Sequence, residues 1–334
     1  MITDPVLVHD WHPVATPAQL AEPGILPVRL LGMDLVLWRS GDRIQAWQDL
    51  CVHRGSRLSG GSLVDGCLRC PYHGWTYDAS GACVHMPAHP EQTPPAKAHA
   101  RTYRVVERHG LLWVTLGAPA HDVPAFPEWR APGYATAVCD AIPHVEAHGP
   151  RLIENFLDVA HFPFVHEGVL GDRAHAEMDD YEARVGPNGM ESDPVFFWQP
   201  VQHSAGGGGK VSYTYKVERP YTAHMRKQVP AGWWGPDSPA ASHGLMLAIT
   251  PHDVLDSTVW FVIASDAYTD NDVLQVEYTK RITAIFEEDR VVVQGQRPEL
   301  LPLDLQAELH LKSDRVAIAY RTYLRQLGLS FGTA

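Results

Sequence analysis

The sequence predicts an α+β chain of two domains, an all-β domain followed by a larger mixed one. Three observations carry this. Residues 1–120 read as short apolar runs between glycine turns, the pattern of strands. Residues Gly117 to Gly133 hold four prolines and read as a break between domains. The second half mixes an alternating strand pattern with a long amphipathic helix. A length of 334 residues agrees with about two domains, and 45% apolar residues suffice for two cores. The expected division is residues 1–120, a linker at 121–133, and residues 134–334.

In chain order, Val28 to Trp38 is an apolar stretch broken at Gly32. Gly41-Asp42 marks a turn before the strand Ile44 to Trp47, and Leu111 to Leu116 is another strand. Gly60-Gly61, Asp65-Gly66 and Ser80-Gly81 are turns, and the proline-rich Met86 to Pro95 is a surface loop. Beyond the break, Arg151 to Phe162 reads as a helix. Lys210 to Val217 alternates as a half-buried strand should, and Leu245 to Ile249 and Thr258 to Ala264 continue the sheet. Asp272 to Gln296 is a long helix, and Ser313 is the expected N-cap of a last helix, Asp314 to Leu327. The glycines Gly206 to Gly209 form a flexible loop.

A formal charge of −12 argues against nucleic acid, whose phosphates demand a basic surface, and offers nothing to an anionic membrane. The N-terminus carries no basic segment followed by an apolar run, and no stretch reaches the ~18 apolar residues of a membrane span. The five cysteines make no even-numbered disulfide framework, which fits a reducing compartment, the cytoplasm. Cys67 reads as a small buried hydrophobe.

Two clusters carry the chemistry of the first domain. Cys51-Val52-His53 and Cys70-Pro71-Tyr72-His73 each pair a thiolate with an imidazole, with sixteen residues between His53 and Cys70. Two cysteines and two histidines can hold a [2Fe–2S] centre, with Cys on one iron and His on the other. They can also hold a structural zinc. Zinc fingers, however, group Cys with Cys and His with His, whereas here the types alternate. The boxes resemble the C-x-H and C-x-x-H boxes of the Rieske iron–sulfur family. The first box lacks the extra cysteine that respiratory Rieske proteins join in a disulfide.

The segment Glu154 to His166 contains N-x-x-D-x-x-H-x-x-x-x-H, from Asn155 through Asp158 and His161 to His166. Asp158 and His161 share a helix face, whereas His161 and His166, five apart, would diverge on a straight helix. Pro163 is expected to break the helix near Phe162 and let His166 swing back. Two histidines so placed begin a 2-His-1-carboxylate iron site. On the helix Asp272 to Gln296, Asp289 lies at the centre of the apolar stripe, among Tyr278, Ile282, Ile285 and Phe286, and Glu287 and Glu288 lie well off it. A carboxylate on a buried face needs an arginine or a metal.

Beside the two Cys/His boxes, this motif resembles the signature of Rieske non-haem iron oxygenases. Gly66 to Trp75 and Gln296 to Arg315 resemble the vanillate demethylase, dicamba demethylase and toluenesulfonate monooxygenase group. The resemblance implies a Rieske β domain followed by a helix-grip (START/Bet v 1-like) domain with an antiparallel sheet. It also implies a mononuclear Fe(II) held by His161, His166 and Asp289, with Asn155 part of the catalytic motif. Asp158 would bridge His73 of one chain to His161 of the next in a homotrimer. The electrons would come from NAD(P)H through a separate flavin/iron–sulfur reductase, since no nucleotide-binding glycine motif is present in this sequence. The implied activity is that of a terminal oxygenase, which uses O₂ to hydroxylate or O-demethylate a small aromatic or heterocyclic compound. The alternative is a Rieske electron carrier or regulatory relative with no mononuclear iron. Expected pocket residues are Phe156, Phe162, Phe164, Phe196, Phe197, Trp198, Tyr215, Met225 and Met246, with His203 or Arg226 as a possible anchor for an acidic group.

Overall fold

The structure is a computed structural model that describes residues 1–21, 24–201, 207–268 and 270–334. The chain divides into two units, Met1–Val123 and Pro124–Ala334. His203 and Gly206 lie outside the described residues.

The first unit opens with one helical turn, α1 (Pro5–Val8), capped by the Asp4 carboxylate. Strands β1 (His12–Ala15), β2 (Ile25–Leu30), β3 (Met33–Ser40) and β4 (Arg43–Gln48) follow. Leu31 and Gly32 both take positive φ between β2 and β3, the primed turn that suits a two-residue hairpin. A second set, β5 (Ser62–Val64), β6 (Cys67–Arg69), β7 (Thr76–Tyr77) and β8 (Cys83–His85), precedes β9 (Thr102–Arg108) and β10 (Leu111–Thr115). The result is a six-stranded antiparallel sheet, β1-β10-β9-β4-β3-β2, and a four-stranded sheet, β5-β6-β7-β8. Trp38, Trp47 and Tyr77 pack edge to face in the core, with ring centroids 4.8 and 6.3 Å apart. Cys67 begins β6 and is half-buried, so it is not the core residue its composition suggested.

The second unit contains strands β11 (Ala135–Val138), β12 (Ile142–Val145), β13 (Ala183–Gly186), β14 (Gly189–Ser192), β15 (Val195–Pro200), β16 (Gly208–Arg219), β17 (Thr222–Val229), β18 (Ala241–Asp253) and β19 (Asp256–Ser265). The sheet runs β11-β19-β18-β17-β16-β14-β13, with β12 on β19 and β15 on β16. Its helices are α2 (Gly149–Leu157), α3 (Phe162–Val165), α4 (Asn271–Gly295) and α5 (Arg315–Leu327). Helix α4 lies on one face of the sheet and buries Phe286 against Phe261, with ring centroids 5.9 Å apart. Residues from Pro124 onward pack with this unit, where buried Glu128 meets His224 at 3.1 Å.

Two helix expectations need correction. The predicted helix Arg151–Phe162 stops at Leu157, where Asp158 turns extended at ψ 134° and its carboxylate accepts from Ala160 N at 2.7 Å. Pro163 does not end a helix. It sits in the first turn of α3, where its missing N–H costs nothing. At the last helix, Ser313 lies inside a 3₁₀ turn, Lys312–Asp314, and α5 begins at Arg315.

Helix α2 is tied to the C-terminal segments by a buried ion network. Arg321, only 2% exposed, grips both oxygens of Glu154 at 2.6 Å and reaches Glu308 at 2.5 Å, while Arg151 reaches Glu308 at 2.9 Å. Among the described residues, no helix is long and apolar enough to cross a membrane.

Candidate metal sites and the adjoining cavity

The two Cys/His boxes fold as twin loops. In the first, Cys51 N donates to Ser56 O at 2.8 Å and Gly55 N donates to Cys51 O at 2.9 Å. In the second, Cys70 N donates to Trp75 O at 2.8 Å and Gly74 N donates to Cys70 O at 3.2 Å. Gly55 and Gly74, at φ 72° and 69°, supply the left-handed residue each loop needs. The loops thus superpose cysteine on cysteine and glycine on glycine, although one box is a residue longer between Cys and His. Both cysteines are buried at 2% exposure in the Trp38–Trp47–Tyr77 core. The imidazoles of His53 and His73 meet edge to face nearer the surface, with centroids 4.6 Å apart, and His53 stacks on Trp75.

This arrangement fits a cluster with a buried sulfur-ligated iron and an outer histidine-ligated iron. Cys51 Sγ lies 3.2 Å from the Tyr77 hydroxyl, a donor suited to a thiolate. Burial pushes the Cys51 thiol above its ordinary value, so a thiolate there needs a cation. The buried Nδ1 of His53 has no hydrogen-bond partner among the described residues, as expected of a ligand atom.

In the second unit, His161 precedes α3 and His166 follows it, so one short helical turn brings their Nε2 atoms to 3.3 Å. Asp289, on the buried face of α4, places Oδ1 3.3 Å from His161 Nε2 and 3.0 Å from His166 Nε2. Bonds of about 2.1 Å to a single ion put neighbouring ligands about 3.0 Å apart in an octahedron and about 3.4 Å apart in a tetrahedron. The triangle falls in that range.

The outer nitrogens settle what the inner ones offer. His161 Nδ1 donates to Asp158 Oδ2 at 3.0 Å, and His166 Nδ1 donates to Glu288 Oε2 at 2.6 Å. With both Nδ1 protons so engaged, it is the Nε2 atoms that face the Asp289 carboxylate. In the neutral imidazoles three acceptors meet there, and positive charge, from a metal ion or from protons on the imidazoles, stabilises them. The field favours positive charge at this point. Burial opposes charge on His161, yet its bonds to Asp158 and Asp289 push its pKa up to about 9. Burial also opposes charge on Asp289, yet His161 and His166 pull it down to about 2. Asn155 Nδ2 donates to Asp289 Oδ1 at 3.3 Å and steadies the carboxylate from α2.

Sequence reasoning missed Glu288. It lies on the flank of the α4 stripe, but a glutamate is long enough to reach around to His166. The helical position alone gave no sign of this, because the partner sits 122 residues away.

The triad opens on a cavity of about 490 Å³, within the ordinary range for a small-ligand site. Phe156, Phe162, Tyr215 and Met225 line it as expected. Phe197 and Met246 are core residues, and Phe164 and Phe196 are exposed at 58% and 44%. Trp198 stacks on His175 instead. Arg226 is no anchor in the cavity. Its guanidinium bonds Ser242 Oγ at 3.0 Å and pairs with Glu128 at 3.6 Å. Its neighbour Lys227 lines the cavity instead.

Comparison with known proteins agrees with both halves. Residues 10–105 match the Rieske [2Fe-2S] domain, and residues 145–329 match the Vanillate O-demethylase oxygenase C-terminal domain. The chain is 31% identical to methylxanthine N1-demethylase NdmA of Pseudomonas putida, over 96% of this chain and 89% of that protein. It also shares 41% identity over 114 residues with the oxidoreductase NdmD of the same organism, 34% of this chain and 19% of that one. The structure of NdmA with caffeine aligns at TM-score 0.77 and 31% identity, covering 96% of this chain and 91% of that one. With a Cys₂His₂ loop pair in one unit, a two-histidine, one-carboxylate triad in the other, and a relative alike from end to end, the chain belongs to the Rieske non-haem iron oxygenases and is a monooxygenase of that family.

Proposed function

We propose that the chain is the terminal oxygenase of a multicomponent system that hydroxylates or demethylates a small aromatic or heterocyclic compound, with electrons supplied by a separate reductase. One observation carries the reading, the convergence of His161 Nε2, His166 Nε2 and Asp289 Oδ1 within 3.3 Å at one end of an aromatic-lined cavity. Cys51, His53, Cys70 and His73 would hold the [2Fe–2S] cluster, and His161, His166 and Asp289 the mononuclear iron. When bound, the cluster supplies single electrons, and the iron supplies O₂ activation beside the substrate.

The chain's own residues do the rest. Asp158 and Glu288 fix the two imidazoles so that Nε2 is the free nitrogen of each. An iron held by three protein ligands would keep open positions for O₂. Phe156, Phe162 and Phe261 keep water from the reacting carbon and offer flat faces to a planar ring. With two electrons from the reductase and two protons, one atom of O₂ would enter an O- or N-methyl carbon and the other would leave as water. The hydroxymethyl group so formed would depart as formaldehyde, its hydroxyl proton passing to the heteroatom.

Asp158 is further assigned a connecting role. Its carboxylate bonds His161 and Ala160 N, and its side chain remains 35% exposed, so it can accept another donor. That donor is taken to be His73 of a neighbouring copy in a homotrimer, since His73 is itself exposed.

The test is iron and acid-labile sulfide per chain in anaerobically purified protein. Three irons to two sulfides are expected. Two irons to two sulfides, even after Fe(II) addition, would refute the triad and leave an electron carrier.

A further inference from the structure

We infer that Lys227 and Arg281 form an oxyanion-binding end of the cavity, so that the substrate is a ring compound carrying a carboxylate or sulfonate. The inference rests on the oxygenase reading and narrows its substrate.

Strand register places the lysine. Tyr213, Lys227, His243 and Ser265 lie directly opposite one another across β16, β17, β18 and β19, forming one polar row. Two residues along, Tyr215, Met225, Leu245 and Ile263 form the next row, and all four line the cavity. Phe261 follows, in ring contact with Phe156 and Phe286 near the triad. The sheet therefore grades from apolar beside the metal ligands to polar at the far end. Helix α4 repeats the gradient, with Asp289 and Phe286 at one end and Tyr278 and Arg281 at the other, all lining the cavity. Eight residues separate Arg281 from Asp289, about 12 Å along the axis.

The cations at the far end have no ion-pair partner. Among the described residues, neither Lys227 nor Arg281 has a carboxylate within ion-pair distance. The two carboxylates lining the cavity are engaged elsewhere, Asp289 with the histidines and Asp266 with Ser242 N at 2.7 Å. Lys227 Nζ lies over the face of Tyr213, 5.9 Å from its centroid. His243, neutral or cationic, carries no negative charge to offer, and its Nδ1 lies 2.8 and 2.9 Å from the Tyr278 and Ser265 hydroxyls. Burial, and next the Arg281 guanidinium, push the Lys227 ammonium down to about 7. An ammonium and a guanidinium that line one aromatic cavity repel each other, and an anion bound between them would let Lys227 regain its proton.

The experiment uses Fe(II)-loaded holoenzyme under anaerobic conditions. Binding of 4-methoxybenzoate and 4-methylbenzenesulfonate is measured by calorimetry against the neutral 4-methoxybenzamide, 4-methylbenzenesulfonamide and caffeine. At least one acid is expected to bind about thirtyfold tighter than its amide, the low end for a buried charged pair. Lys227→Met and Arg281→Met should each remove that preference, weakening acid binding far more than amide binding. Which acid wins separates carboxylate from sulfonate recognition. The inference is overturned if the neutral compounds bind as tightly as the acids, if no acid binds at millimolar concentration, or if both variants keep the preference. Demethylation of a neutral methoxyarene with formaldehyde release would sink this inference yet leave the oxygenase reading intact. A missing third iron would sink the oxygenase reading itself.

Discussion

Removing the Glu288 carboxylate tests how much of the metal site is built by residues that never touch the ion. His166 is fully buried, and its Nδ1 proton has a single acceptor, Glu288 Oε2, at 2.6 Å. In Glu288→Ala the imidazole loses both its tautomer lock and its rotational restraint. Losing such a supporting acceptor typically lowers metal affinity by about 10–100-fold, or about 1.4–2.7 kcal/mol. Glu288 is 48% exposed, so water can replace part of the bond, and the expected loss sits at the low end, about tenfold. Glu288→Gln keeps an acceptor oxygen and should lose less than Glu288→Ala. The assay is competition for Fe(II) or Co(II) with a chelator of known affinity, with iron and sulfide counted per chain. Sulfide should stay at two while the third iron weakens. Affinity within twofold of the parent for Glu288→Ala would refute the argument that this carboxylate orients His166.

Asp158→Asn should retain three irons and two sulfides but lose most turnover, and undiminished turnover would end its connecting role. Adding Fe(II) at about 100 times its dissociation constant should stabilise the second unit by about 2.7 kcal/mol, a gain that Asp289→Asn should abolish in a thermal melt. Arg321→Met leaves buried Glu154 with only Arg151, 3.8 Å away. The expected cost is about 3 kcal/mol, read as a fall in Tm of roughly 6–12 °C. Gly74→Ala forces a left-handed alanine whose Cβ would stand 2.9 Å from Pro87 Cγ, whereas at Gly55 the nearest side-chain atom is 3.7 Å away. Gly74→Ala should therefore lose more visible absorbance and labile sulfide than Gly55→Ala.

The elements easiest to read were those whose pattern is local. The alternation Val211, Tyr213, Tyr215, Val217 appears in β16, and the apolar stripe of α4 buries Asp289 and Phe286. The side chains that converge as a candidate metal site were legible because ligand chemistry restricts residue type and spacing together. The helix break was not legible in detail. Pro163 marks a helix end when it follows a run and a helix start when it opens one, and the two differ only by what Asp158 does upstream. Asp158 breaks α2 because its carboxylate caps Ala160 N, a choice made jointly with its bond to His161. Glu288 and the pairing of Arg321 with Glu154 were hidden for a different reason, since the partners lie 122 and 167 residues apart and leave no periodic trace.

The exchange of Arg226 for Lys227 shows how a single residue of register decides chemistry. Strands β16 and β17 are joined through Pro220-Tyr221, and Arg219 pairs with Thr222 at the turn. Continued without interruption, that register would set Arg226 opposite Tyr215 and turn the guanidinium into the cavity. The register instead shifts between Val217 and Arg219, so Met225 faces Tyr215 and Lys227 faces Tyr213. An irregularity of one residue reverses the facing of everything beyond it. Arg226 is thereby sent to Glu128 and Ser242 on the opposite side, and a titratable ammonium replaces a permanently charged guanidinium beside the substrate. The alternating pattern of β16 was readable, but Thr222 to Val229 offers polar residues to both faces, so nothing in that strand alone fixes its parity. Only the bulge does, and it falls between Val217 and Arg219, one step before the turn.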